Sequence, residues 1–308
     1  MQYKLFNEPE VLSSPFECEE CDVSIVIPTY YKERSFPHVV DSISRQLANV
    51  LTENRPLKAE IIMVVNWDEW EEDAPAVKIA QELLEQYRES AEYSDPTWQT
   101  SKLWPDALAS VIPLKVVRYS PRLGKMAAMQ KWAEIAKWNV VAFVDADLTF
   151  PDYKPFLLAE LVNPVYNDKV QMTIASLWAN MGNAGMFAKR LSGQRALNRR
   201  QFLGITQWLQ ENWIWWYWIE TALTLVIEKL FGKRKVKIVD WEGVWQLTKV
   251  YKDPLAAPIG YIKMWANVLK TLVKVRRLLK DPQKLKELQT KIMNDDYCWN
   301  RSSEVNNL

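Results

Sequence analysis

The sequence predicts an α/β protein, a single domain built on a mostly parallel central sheet with helices on both faces and a C-terminal helical extension. Short runs of β-branched and other apolar residues alternate with segments of helical periodicity. These runs do not alternate with polar residues, which is typical of strands that helices cover on both faces. With 48% hydrophobic and 25% charged residues, the 308-residue chain also has an ordinary globular composition.

Each element follows from its local pattern. Strands are predicted where short apolar runs end at Pro, Asp or polar clusters: 22–29, 59–65, 114–118, 140–144, 169–178, 236–239 and 244–248. Helices are predicted where apolar residues recur at helical spacing: 36–51, 74–87, 124–138, 218–229, 262–279 and 282–293. Residues 192–200 are interpreted as the opening of a loop-helix region. Residues 1–21 are polar and acidic without periodicity, so we expect an N-terminal tail.

The composition argues against several classes of function. The formal net charge is +1, which does not favour binding to nucleic acid. The single histidine, His38, nearly eliminates histidine-based triads and zinc sites. Three cysteines are too few for a disulfide scaffold and suit a reducing compartment, so we expect a cytoplasmic protein. No secretory signal is visible, and the longest apolar run, 213–227, is interrupted by Glu220, so a spanning helix is not expected.

Asp145 and Asp147 directly follow the apolar run VVAFV. Ligands of open parallel sheets sit at the carboxyl ends of the strands, where a turn can aim both carboxylates at one cation. Such oxygen ligands suit Mg²⁺ or Mn²⁺ carrying a diphosphate. The alternative is a polar strand end in which Asp147 caps the following segment.

Two other charged residues stand at predicted helix starts. Lys125 follows Gly124, so backbone N–H groups and a cation could lie near an anion; a solvated lysine is the alternative. Glu220 follows the aromatic run WIWWYW at 213–218, which we interpret as core or the lining of an acceptor pocket. A carboxylate in such a run must be paired, hydrogen-bonded or functional.

Six segments, in this order, resemble motifs of the family 2 glycosyltransferases, which have the Rossmann-like GT-A fold. They are 24–30 (SIVIPTY), 123–125 (LGK), 144–148 (VDADL), 192–200 (SGQRALNRR), 219–222 (IETA) and 243–249 (GVWQLTK). The pattern is similar to the branch near the dolichyl-phosphate mannose synthases and the glucosyl-3-phosphoglycerate synthases, and it spans about residues 22 to 275.

The resemblance implies transfer of a sugar from a UDP- or GDP-sugar donor to a phosphorylated small molecule or a polyprenyl phosphate, with Mg²⁺ or Mn²⁺. It implies a GT-A domain at 22–260, with a nucleotide-binding half at 22–150 and an acceptor half at 151–260, before amphipathic helices at 261–308. The implied donor-binding residues are Pro28, Tyr30, Glu33, Asp68, Lys125, Asp145 and Arg195. The implied metal ligands are Asp145, Asp147 and Gln246. Acceptor contacts are implied for Arg199, Arg200 and Glu220, and catalytic roles for Glu220 and Asp145.

Several positions depart from the family pattern. Residues 30–33 read YYKE, residues 66–69 read NWDE without the family's glycine, and Trp-Tyr-Trp at 216–218 replaces a Gly-Tyr-Gly. These departures favour an alternative of another class, a non-catalytic or engineered GT-A scaffold that binds a partner or a membrane surface.

The segment 262–279 carries five basic residues, no acidic residue and apolar residues at helical spacing. Such a helix can lie on an anionic bilayer, or it can pack its apolar stripe on the domain with its lysines solvated. The second interpretation is favoured, so we expect at most a peripheral, salt-sensitive membrane contact.

Overall fold

A computed structural model provides the structure of the protein. It describes residues 10–13, 22–30, 39–40, 42–44, 46, 59–66, 78, 82, 85, 114–119, 125–149, 157–177, 192–214, 219–246 and 257–293. Residues 39–40, 42–44 and 46, and residues 78, 82 and 85, are helical, in agreement with the helices predicted at 36–51 and 74–87.

The strands and helices are numbered here in the order in which they occur along the chain. The strands are β1 (Glu10–Ser13), β2 (Val23–Tyr30), β3 (Ala59–Asn66), β4 (Leu114–Tyr119), β5 (Val140–Phe143), β6 (Leu148–Thr149), β7 (Met172–Ser176), β8 (Arg195–Asn198), β9 (Val236–Asp240) and β10 (Trp245–Gln246). The helices are α1 (Lys125–Ile135), α2 (Leu157–Tyr166), α3 (Arg199–Glu211), α4 (Ile219–Phe231), α5 (Ala257–Leu278) and α6 (Pro282–Met293).

Eight of these strands form one sheet in the order β1-β4-β3-β2-β5-β8-β7-β9. The strands β4, β3, β2 and β5 are parallel to one another, and β7 is parallel to β9. Only β1 and β8 run against their neighbours. The prediction of a mostly parallel sheet is therefore confirmed. Strands β6 and β10 form a separate two-stranded ribbon.

The apolar strand residues divide between the two faces of the sheet. Ile25, Ile27 and Ile61 belong to a cluster with α2, whereas Val26 and Ile62 belong to a cluster with α1, α3, α4, α5 and α6. Successive strand residues point to opposite faces, so an uninterrupted apolar run supplies both cores. The expectation of a sheet that helices cover on both faces is confirmed.

Four elements differ from the sequence-based expectations, and one of them is the short strand β6, which was not predicted. Glu10–Ser13, inside the predicted tail, pairs antiparallel with β4 as an edge strand. The predicted loop at 192–200 contains β8, and α2 was not predicted. Short strands such as β1 and β8 depend on the backbone of a neighbouring strand, which local propensity does not reveal. In α2, the internal Pro164 argues against a helix from sequence alone, and the helix forms because seven of its residues, Pro164 included, are buried in the domain.

Helix α5 packs against α4, and α6 packs against α3. Val268, Leu272 and Val275 of α5 are buried. The expectation that the whole apolar stripe of 262–279 packs on the domain is wrong in part, because Ile262 and Leu269 are exposed. No helix among the described residues is long and apolar enough to cross a membrane.

Candidate active site

The candidate site lies at the carboxyl edge of the parallel strands, where β2 and β5 separate. The two strands pair from Val23 opposite Val140 to Val26 opposite Phe143, and the Val144 N–H donates to the Val26 carbonyl at 3.0 Å. Strand β2 continues to Tyr30 beside β3 alone. Pro28, which is half-buried, has no N–H with which to extend the pairing towards β5. The chain after β5 can therefore turn away from the sheet, and Asp145 and Asp147 lie in that turn.

Asp145 is held by the segment that leads into β8. The Gln194 side-chain amide donates to Asp145 Oδ2 at 2.7 Å. Gln194 is itself buried, and the hydroxyl of Ser192 donates to its side-chain oxygen. The Ala175 N–H of β7 donates to the Gln194 carbonyl at 2.9 Å. This chain of hydrogen bonds fixes which end of the amide faces Asp145, because the oxygen of Gln194 already has its donor.

Gly193 leaves room for the Asp145 carboxylate. A Cβ atom placed on Gly193 would lie 2.5 Å from Asp145 Oδ2, closer than real Cβ atoms approach, and 3.0 Å from Oδ1. Any side chain at position 193 would thus push the carboxylate from its place. Gly193 and Gln194 together set the position of Asp145, one by leaving space and the other by donating a hydrogen bond.

Arg195 is fully buried as the first residue of β8. Its Nη1 donates to the backbone carbonyl of Glu220 at 2.7 Å and to Thr224 Oγ1 at 3.4 Å, and its Nη2 donates to the Ser192 carbonyl. The guanidinium therefore ties the loop that carries Gly193 and Gln194 to the first turn of α4. This arrangement makes Arg195 a support of the site rather than an exposed anion-binding group.

Burial lowers the pKa of the Arg195 guanidinium from its ordinary value to about 10, and the carboxylates of Glu220 and Asp145 oppose this shift. A pKa near 10 leaves Arg195 protonated at neutral pH. Glu220 is also buried, in the first turn of α4. The Glu220 carboxylate thus lies within electrostatic reach of the buried arginine.

Asp147 is half-buried and is followed at once by the ribbon of β6 and β10. In that ribbon Gln246 pairs with Leu148, and Trp245 pairs with Thr149. The backbone of Gln246 is thereby placed beside the residue that follows Asp147. The structure brings these two predicted metal-binding positions into one neighbourhood, although they are far apart in the sequence.

Arg199 and Arg200 are placed at the other edge of the sheet. Strand β8 runs antiparallel to β5, with Arg195 opposite Phe143 and Asn198 opposite Val140, so the residues after Asn198 lie at the amino end of β5. There Arg199 donates to the backbone carbonyls of Ala133 and Glu134 near the end of α1. Arg200 donates to the Met293 carbonyl. The structure does not bring these two arginines together with Asp145, and their contacts are with helix ends.

The remaining predicted donor-binding residues are described in part or not at all. Tyr30 is the last residue of β2 and Lys125 is the first residue of α1. Glu33 and Asp68 lie outside the described residues. In the segment 192–196 (SGQRA), the sequence indicated a role only for the arginine, so Gly193 and Gln194 were not predicted as site residues. The signal was a glycine next to a long amide side chain, shortly before a strand.

Replacing Gln194 with methionine should weaken the hold on Asp145 while filling the same space. We expect donor affinity to fall about 10-fold to 100-fold, as for partners of metal-binding carboxylates in other sites. The free energy of unfolding should fall by about 1 kcal/mol, for one lost hydrogen bond. Titration calorimetry with a nucleotide sugar and Mn²⁺ measures the first effect, and urea unfolding measures the second.

The matched control is Gln207→Met, because Gln207 bonds Glu211 on the surface of α3 at 3.2 Å. If Gln194→Met and Gln207→Met have equal donor affinity, Gln194 does not position Asp145.

Comparison with solved structures finds similarity over most of the chain. The glucosyl-3-phosphoglycerate synthase of Mycobacterium tuberculosis, solved with Mn²⁺, UDP and glucosyl-3-phosphoglycerate, aligns with a TM-score of 0.51 at 17% identity, covering 82% of this chain and 79% of that one. Its complex with Mn²⁺, UDP and phosphoglyceric acid also aligns at 0.51 and 17% identity, covering 82% and 78% of the two chains. The chain shares the GT-A fold of these synthases. No protein-family model matches the sequence, and no curated protein matches it at a significant level.

Proposed function

We propose that the protein is a glycosyltransferase that moves a sugar from a nucleotide-sugar donor to a phosphorylated acceptor. The observation that carries the proposal is the pair Asp145 and Asp147 at the carboxyl edge of a GT-A sheet, with Asp145 fixed by Gln194 at 2.7 Å. A carboxylate that accepts a hydrogen bond from a buried amide, in a space that a glycine leaves open, is preorganised for a ligand. A solvated strand end would not need that support.

The carboxylate oxygens available at this turn are ligands that suit Mg²⁺ or Mn²⁺. Among the described residues, no group of three or more His, Cys, Asp or Glu side chains could hold a metal by itself. Mg²⁺ in enzymes is bound by one or two carboxylates together with substrate phosphates and waters, so two aspartates suffice if the donor diphosphate completes the site. Asp147 and Asp145 would hold the metal, with Gln246 as a further candidate, and the metal would supply charge neutralisation for the diphosphate.

The chain's own residues are proposed to bind and orient the donor. Pro28 and Tyr30 end the strand that separates from β5, beside the Asp145 turn, and would contact the base and ribose with Glu33 and Asp68. Lys125 starts α1, where backbone N–H groups and the lysine favour an anion. Charge that develops on the departing nucleoside diphosphate is the main electrostatic demand of the reaction, and a preorganised positive environment lowers its free energy.

Glu220 is proposed to act on the acceptor side, as a base or as a positioning group. Its carboxylate is buried at the start of α4, within electrostatic reach of the guanidinium of Arg195. The similar synthase was solved with phosphoglyceric acid and with glycerol 3-phosphate, which are phosphorylated small molecules. Such an acceptor is therefore proposed ahead of a polyprenyl phosphate. Arg199 and Arg200 are left out of the acceptor site because of their place at the opposite edge.

The competing proposal is a non-catalytic GT-A scaffold, favoured by the departures at 30–33, 66–69 and 216–218. The fixed position of Asp145 argues against it. A non-catalytic scaffold would not require a glycine that leaves space for this carboxylate or an amide that donates to it.

A thermal-shift panel of UDP- and GDP-sugars, each with and without Mn²⁺, distinguishes the two. A ligand that binds the folded state at a hundredfold above its Kd stabilises it by about 2.7 kcal/mol, which for a chain of this size is a rise of about 4 °C in Tm. We expect such a rise for one nucleotide class and only with the metal. No shift with any nucleotide sugar would overturn the proposal and leave the scaffold.

A further inference from the structure

Helix α5 has two apolar faces, and only one of them is covered by the protein. Val268, Leu272 and Val275 are buried against the domain, whereas Ile262 (70% exposed), Leu269 (57%) and Val273 (58%) face solvent. At 3.6 residues per turn, the three exposed side chains fall within an arc of about 40°. Ile259 and Trp265 are exposed on either side of that arc. The exposed residues therefore form one continuous apolar stripe, which we call the outer stripe: Ile259, Ile262, Trp265, Leu269 and Val273.

A basic arc borders the outer stripe. Lys263, Lys270, Lys274 and Arg277 are exposed and fall within an arc of about 60°, centred about 90° from the outer stripe around the helix. No acidic residue occurs anywhere between Ala257 and Leu278. An exposed apolar stripe alongside lysines and arginines is the pattern of a helix that lies in the plane of an anionic membrane surface.

Trp213 is a further exposed aromatic residue that lies next to α5. It is 74% exposed, and its carbonyl accepts a hydrogen bond from Lys274 Nζ at 2.8 Å. Its φ of 59° lies in the left-handed region, at the position after the end of α3 that glycine usually occupies. A tryptophan in this conformation carries backbone strain that glycine would avoid. The strained position thus presents a large aromatic side chain to solvent, and tryptophan favours the interface between water and lipid headgroups.

We propose that the outer stripe, the basic arc and Trp213 form a docking surface for an anionic phospholipid bilayer, on which the protein binds peripherally. Charge complementarity selects this occupant. The basic arc would be attracted to a negatively charged surface, with each lysine or arginine contributing a roughly fivefold gain in partitioning. A second copy of the chain would instead bring two basic arcs together. The proposal does not depend on the proposed glycosyltransferase activity.

The test is co-sedimentation of the full chain with vesicles of phosphatidylcholine alone and of phosphatidylcholine mixed with phosphatidylglycerol. We expect binding only to the anionic vesicles and weaker binding as salt is raised. The charge variant Lys263→Gln, Lys270→Gln, Arg277→Gln keeps the bond from Lys274 to Trp213 and should lower the partition coefficient about 100-fold. Its matched control is Lys233→Gln, Arg234→Gln, Lys237→Gln, which removes the same charge from exposed residues outside the surface and should bind like the original protein.

The apolar part of the surface is tested by Ile262→Gln, Leu269→Gln, Val273→Gln, with the exposed Met293→Gln as its control. The first should lose vesicle binding and the second should keep it. Trp213→Gly should also bind vesicles less tightly, yet melt at the same or a higher temperature, because glycine suits the left-handed backbone. That pair of results separates a docking role from damage to the fold.

Three outcomes would overturn the proposal: no binding to anionic vesicles, equal binding of the charge variant and its control, or a dimer that the apolar variant converts to a monomer in analytical ultracentrifugation. The last result would assign the outer stripe to a second copy of the chain.

Discussion

Asp147→Asn is expected to remove metal-dependent donor binding and to lower the rate of sugar transfer by a factor on the order of 100 to 1,000, the range for loss of one preorganised electrostatic group. The change keeps the shape of the side chain and removes its charge. Because metal and donor diphosphate would share one site, each should bind more tightly in the presence of the other, and this coupling should vanish in the variant. Titration calorimetry with a nucleotide sugar, in Mn²⁺ and in EDTA, measures both effects.

The matched control is Asp168→Asn. Asp168 is exposed after the end of α2, and its positive φ of 55° is one that asparagine also tolerates. Both variants lose one negative charge, so a general change in net charge should affect them equally. Equal donor affinity of Asp147→Asn in Mn²⁺ and in EDTA, at the level of the original protein, would show that Asp147 does not bind the metal.

Arg195→Met should have the largest effect on stability, lowering the free energy of unfolding by about 3–5 kcal/mol. Methionine fills a similar volume but removes the positive charge that interacts electrostatically with the Glu220 carboxylate. It also leaves the carbonyls of Ser192 and Glu220 without the donors that Arg195 supplies. Urea unfolding followed by circular dichroism measures the loss. Donor affinity should fall as well, since Arg195 anchors the loop that carries Gly193 and Gln194.

A double-mutant cycle with Glu220→Gln tests the electrostatic part of this expectation. If the buried carboxylate is what makes the loss of Arg195 costly, the double variant should be more stable than the sum of the single changes predicts, by an interaction energy of about 0.5–3 kcal/mol. Strict additivity would mean that Arg195 stabilises the fold through its backbone contacts alone. Should Arg195→Met not fold, the comparison of Glu220→Gln with the original protein still measures how much the carboxylate destabilises its site.

The parallel part of the sheet could be predicted because each of its strands is marked by a pattern in its own few residues. The strands at β2, β3, β4 and β5 are runs of apolar residues that end at polar ones, and the helix Pro282–Met293 begins and ends where its periodicity does. The position of Asp145 and Asp147 followed from the same reasoning, since residues that end a parallel strand lie at the carboxyl edge.

The support of the site could not be predicted in the same way. Gln194 contacts a carboxylate 49 residues earlier, and Arg195 contacts α4 some 25 residues later. From the local sequence, Arg195 would be expected at the surface, because arginine is rarely buried. Its burial is explained only by the neighbouring strands and by α4, which the local sequence does not reveal. The same limit applies to Arg199, which is close to Arg195 in sequence but was placed at the other edge by one antiparallel strand.

The antiparallel strand β8 also decides how the protein can be divided. The family resemblance implies two halves that meet near residue 150, yet β8 comes from the second half and hydrogen-bonds to β5 of the first. A fragment that stops at residue 150 would leave the backbone of β5 unpaired along that side, and an open strand edge invites intermolecular pairing. The halves are therefore regions of one cooperative unit, and truncation between them would yield an aggregating fragment instead of a soluble nucleotide-binding module.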